Sequence, residues 1–196
     1  MNARHELVPS RNRDLVVLPT LALAILVTRF EQFGFAYALP DATPAAFFVA
    51  GFGLASAWPM LPLFAVAALA DQLAFANGVS DACMTPAYAL LLPAYATLWS
   101  AGRCCRLLAR NAMWWPAALG ALAAASVVAW LISSGGFYAF SGRYAQLPTA
   151  DYFAATLPYL APYVAWVTVY GAVGLVAIRV FERRAERNAT PDASRA

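Results

Sequence analysis

Six apolar stretches recur along this chain, and they constrain its fold more than any motif does. They run from Leu15 to Thr28, Pro44 to Ala57, Met60 to Ala76, Pro86 to Ala101, Ala112 to Ile132 and Leu157 to Phe181. Several approach the roughly 17 to 25 residues that cross a hydrocarbon core. With 62% hydrophobic and 12% charged residues in 196, the chain is far more apolar than an ordinary soluble domain. The expectation is an all-α membrane protein of six transmembrane helices, a single integral domain over 1–196 whose polar tail occupies 182–196. The stretch Pro44 to Ala57 is short and glycine-rich, so it is expected to tilt or to be buried partly in protein rather than lipid. Trp58 and Pro59 read as a tight turn. Met1 to Asp14 is polar, and the apolar run behind it lacks a small-residue cleavage pattern, so the first stretch is expected to be a retained helix.

Arginine orients the bundle, since the chain has no lysine. An even number of crossings puts both termini on one side, together with Arg103, Arg106 and Arg110. That side holds eleven of the thirteen basic residues, and only Arg29 and Arg143 remain on the other. The positive-inside rule therefore places both termini in the cytoplasm. The outer side is acidic by comparison, with Glu31, Asp41, Asp71, Asp81 and Asp151.

Polar chemistry is expected outside. The first outer loop, about Arg29 to Thr43, mixes Phe30, Phe33, Phe35 and Tyr37 with Glu31, Gln32 and Asp41. The second, about Asn77 to Thr85, contains Cys83. The third, about Ser133 to Thr156, is the longest and holds Phe137, Tyr138, Phe140, Arg143, Tyr144, Asp151 and Tyr152. Loops of this length commonly form lids or binding surfaces, with Gly135 and Gly136 as a candidate hinge. An interfacial aromatic belt accounts for the same residues without a ligand.

Cys83 is the only thiol on the outer side. With no disulfide partner there, it is inert packing, a reactive nucleophile or a metal ligand. Thr85 suits an N-cap and Pro86 a first helical residue, which sets Cys83 beside the positive end of the fourth helix. That position favours thiolate, while Asp81 opposes it by like charge. Cys104 and Cys105, on the reducing cytoplasmic side, read as structural, and His5 as solvated. Asp71, near the outer end of the third helix, is a candidate ligand contact or a helix cap. Pro93, Pro158 and Pro162 are expected to kink the fourth and sixth helices. No phosphate-cradling loop with its lysine, paired-cysteine redox motif or two-histidine metalloprotease helix occurs, so ATP hydrolysis of that type is excluded, and no nucleic-acid partner is expected.

Six helices in 196 residues, termini inside, binding loops outside and no ATPase motif resemble the substrate-binding (S) components of the energy-coupling factor (ECF) vitamin transporters. The segment Asp81, Ala82, Cys83, Met84, Thr85, Pro86, Ala87, Tyr88 is similar to the BtuM-type, cobalamin-specific S components of Gram-negative bacteria. The topological likeness spans nearly the whole chain, and the narrower one rests on this segment. What the resemblance implies is a multi-pass protein of the bacterial inner membrane that binds cobalamin (vitamin B12) at its outer face and mediates its uptake, in contact with the lipid bilayer. Cys83 matches the family's cobalt-ligating cysteine. One thiolate suffices, because the corrin supplies four cobalt ligands itself. Such ligation would displace an upper axial ligand, which is the only catalysis the resemblance would assign, and it falls to Cys83.

Around the corrin the expected contacts are Asp71, Asp81, Met84, Thr85 and Tyr88, with Tyr37, Phe140, Arg143 and Tyr144 from the first and third outer loops. The partner implied is an ECF module, a transmembrane coupling subunit with its ATPases. Action without one is the alternative, because Thr20, Ala24 and Thr28 stand where S components usually carry an alanine ridge. Two other readings remain: an S component for another small vitamin with Cys83 incidental, and a membrane-embedded thiol enzyme. The second lacks a nearby histidine or a second outer cysteine.

Overall fold

Proline and glycine set most of the helix boundaries in the computed structural model, which describes residues 11–31, 39–54, 56–78, 84–109 and 114–189. Helix α1 spans Arg11–Glu31, α2 Thr43–Gly53 and α3 Met60–Ala76. A 3₁₀ turn, Pro86–Leu90, leads into α4, Leu91–Leu108. Then come α5, Trp114–Phe140, and the short α6, Thr149–Thr156. A second 3₁₀ turn, Leu157–Tyr159, opens α7, Leu160–Ala189. The protein is all-helical, with no strand among the described residues. The expected turn at Trp58 and Pro59 is present, with Met60 N–H donating to the Ala57 carbonyl and Leu61 N–H to that of Trp58. Gly78 closes α3 at φ +91°, the left-handed conformation that a helix stop favours.

Two stretches, α5 and the α6–α7 run Thr149–Arg184, are long and apolar enough to cross a membrane. At a rise of ~1.5 Å per residue, α5 is about 40 Å long. Its flank exposes Val128 and Leu131, and that of α7 exposes Val169, Val173, Val176 and Val180. Contiguous apolar exposure of this kind is rare on soluble monomers and suits contact with lipid.

Helix α2 is the axis of the fold. All eleven of its residues are buried, and α1, α3, α4, α5 and α7 all pack against it. Eleven residues give about 16 Å, half of a typical hydrocarbon thickness of ~30 Å. A helix that short can sit at membrane depth only when other helices shield it. The crossing with α4 is backbone on backbone: a Cβ on Gly51 would lie 2.1 Å from the Trp99 carbonyl oxygen, and one on Gly102 2.1 Å from that of Phe48. Phe47 stacks on Tyr95 of α4 with ring centroids 4.6 Å apart. In lipid the gain comes from dispersion at such close approach, since transfer out of water no longer drives one helix onto another.

Three sequence expectations change. The prolines mark starts rather than kinks: Pro93 falls in the first turn of α4 and Pro162 in that of α7, where the missing N–H costs no helical bond, and Pro158 lies in the 3₁₀ turn ahead of α7. Thr85 does occupy an N-cap position, with extended backbone, but its hydroxyl caps nothing, and a 3₁₀ turn follows it. The third outer loop is largely helical, since α5 runs to Phe140 and α6 begins at Thr149. Gly135 and Gly136 are therefore helical and not a hinge. A Cβ on Gly136 would meet Leu90 Cδ1 at 2.1 Å, so this glycine lets the 3₁₀ turn lie directly on α5.

Candidate functional site

A buried ion cluster occupies one end of the bundle. Arg29, in the last turn of α1, is 8% exposed and Asp71 of α3 is 4% exposed. The guanidinium forks onto that carboxylate, with Nε donating to Oδ1 and Nη2 to Oδ2 at 2.8 Å. Its Nη1 donates to Asp41 Oδ2 at 3.0 Å, to Tyr95 Oη at 3.1 Å and to Thr43 Oγ1 at 3.3 Å. Asp41 also accepts the Thr43 backbone N–H at 2.8 Å, so the residues leading into α2 are tied to the exit of α1. Thr28 adds a second tie, its Oγ1 accepting the Ala42 N–H at 3.1 Å. Asp71 Oδ2 accepts a further bond, at 2.6 Å, from the Tyr88 hydroxyl in the 3₁₀ turn.

Two carboxylates thus surround one guanidinium, and α1, α2, α3, α4 and the 3₁₀ turn all contribute. A planar five-donor group matches this set of acceptors, whereas a lysine could not reproduce the fork. Asp71 caps no helix: it is the counter-ion of Arg29.

The opposite end is cationic. Arg106 Nη1 donates to the carbonyls of Phe52 at 2.9 Å and Gly53 at 2.7 Å, and Arg103 Nη1 to that of Leu54 at 2.7 Å. These bonds close the C-terminus of α2 and complement its dipole. Arg179 lies 4.4 Å from the Trp114 ring centroid and pairs with Glu182 at 3.0 Å. On α4, Cys104 is exposed and Cys105 buried, and burial, with Cys104 next to it, pushes the Cys105 thiol above its ordinary pKa. Maleimide should therefore modify Cys104 roughly tenfold faster than Cys105, read by comparing the Cys104→Ala and Cys105→Ala variants.

Of the residues named from the sequence, Asp71 and Tyr88 are brought together. Met84 is exposed, and Thr85 is half-buried with its Oγ1 enclosed and unpartnered. Phe140, the last residue of α5, and Arg143, on the α5–α6 connection, are exposed. Tyr144 packs edge-on against Phe137 and Tyr152, with ring centroids 5.9 and 4.8 Å away. Tyr152 donates to the Ser134 carbonyl at 3.0 Å. These rings lock α6 onto α5. Tyr37, Asp81 and Cys83 lie outside the described residues.

Sequence reasoning missed Arg29. It stands out only as one of two arginines on the acidic side, directly behind an apolar run, and its partners are 12 and 42 residues away. No protein-family model and no curated protein matches this sequence.

Proposed function

We propose that this chain is a multi-pass protein of the bacterial inner membrane, with both termini cytoplasmic, that binds cobalamin at its outer face and mediates its uptake. The observation that carries this reading is the hydrogen bond between Tyr88 and Asp71. Each was expected from the sequence to face the ligand, and Tyr88 stands five residues beyond Cys83 in the sequence. Ionisable side chains buried in so apolar a chain mark function by default. The gathering of Arg103, Arg106 and Arg179 at the other end supports placing the Asp71 end outside.

In this reading Cys83 supplies a thiolate, whose electron pair forms the bond to cobalt while the upper axial ligand departs as an anion with its own pair. The cobalt oxidation state does not change. Tyr88, its proton committed to Asp71, presents its oxygen as an acceptor suited to the amide N–H groups of a corrin rim. Phe140, at the end of α5, and Arg143 and Tyr144, on the α5–α6 connection, belong to the same proposed surface.

Absorption spectroscopy tests it. Purified protein with cobalamin should show displaced corrin bands, and Cys83→Ala should return the spectrum of the free vitamin. Identical spectra from both proteins would remove cobalt ligation, and absence of any retained cobalamin would remove the ligand itself.

A further inference from the structure

Helix α7 carries an exposed apolar stripe with a charged terminus. Trp166, Val169, Val173, Val176 and Val180 alternate three- and four-residue spacings, and all are exposed, so they share one face. Arg183 and Arg184, three and four residues beyond Val180, continue that face and are exposed too. Among the arginines of this end whose side chains are described, Arg103 and Arg106 are engaged on the carbonyls of α2 and Arg179 on Glu182 and Trp114. Arg183 and Arg184 have no acidic partner among the described residues.

We propose that this face of α7 seats an anionic phospholipid, with an acyl chain along the valines and the phosphate between Arg183 and Arg184. Guanidinium groups fit phosphate oxygens in pairs, and basic side chains at the membrane boundary draw anionic headgroups. A second copy is disfavoured on two grounds. Parallel copies would set four guanidiniums at the same depth, and bulky valines and a tryptophan lack the small-residue surface of close helix pairs. The proposal rests on the membrane placement above and not on cobalamin.

Thermal unfolding of the purified full chain, with phosphatidylglycerol or phosphatidylcholine added to the detergent, tests it. Phosphatidylglycerol should raise the unfolding temperature by about 5 °C more than phosphatidylcholine. Arg183→Gln/Arg184→Gln should lose that excess, and Arg183→Lys/Arg184→Lys should keep most of it. Equal effects of the two lipids, or a glutamine variant with the full excess, would overturn the proposal. So would a dimer that Val173→Ser disperses. A chain that stays aqueous on detergent phase separation would instead remove the membrane placement, and the proposal with it.

Discussion

Arg29→Met should destabilise the protein by about 3–5 kcal/mol, because it leaves the buried Asp71 carboxylate and the half-buried Asp41 carboxylate without their cation. For a chain of this size that corresponds to a fall of roughly 6–20 °C in unfolding temperature. Arg29→Lys should recover only part of the loss, since an ammonium cannot serve Asp71 with two donors while reaching Asp41, Thr43 and Tyr95. Adding Asp41→Asn and Asp71→Asn to Arg29→Met should restore much of the stability, because the penalty lies in stranded charge rather than in lost packing. Thermal unfolding of the single and triple variants measures the coupling. A triple variant no more stable than Arg29→Met would show that the cluster does not act as one electrostatic unit.

Gly51→Ala and Gly102→Ala should each cost about 3 kcal/mol, the upper end of ordinary overpacking, because each methyl meets a backbone carbonyl and not a side chain that can swing aside. The pair should cost less than the sum. Once one methyl has pushed α2 and α4 apart, much of the room for the other exists. Gly120 of α5 is the control: nothing lies within 4 Å of a Cβ built there, so Gly120→Ala should be neutral or stabilising by up to ~1 kcal/mol through helix propensity. Comparable losses at Gly51 and Gly120 in denaturant titrations would contradict the backbone crossing.

What was legible in the sequence depended on how local its cause was. Apolar run lengths announce helices, the pair Trp58 and Pro59 announces a turn, and the brevity of Pro44 to Ala57 announces a helix that lipid alone could not house. The glycine pair after Ser134 misled, because two glycines in a row resemble a hinge until Leu90 is known to press on one of them. Prolines were read as kinks for a related reason: whether a proline interrupts a helix or opens it depends on where the helix starts, which tertiary contacts decide. Asp71 and Tyr88 could be named from position and residue type. Their hydrogen bond, and the guanidinium holding Asp71, could not, since nothing within a few residues of Arg29 signals a partner 42 positions on.

In the membrane placement proposed above, the shortness of α2 would also shape the electric field through the protein. Its N-terminus abuts Asp41 and Arg29, and its C-terminus ends on Arg103 and Arg106. The apolar septum between these two polar ends is thus about 16 Å at the axis, against ~30 Å for the surrounding hydrocarbon. A membrane potential that falls mainly across this septum does so over half the usual distance, which roughly doubles the local field, while the work of carrying a unit charge through stays near ~2.3 kcal/mol per 100 mV. In the membrane placement proposed above, a field focused on this septum would act more steeply on charges at either end of α2 than on residues at the same depth on α5 or α7.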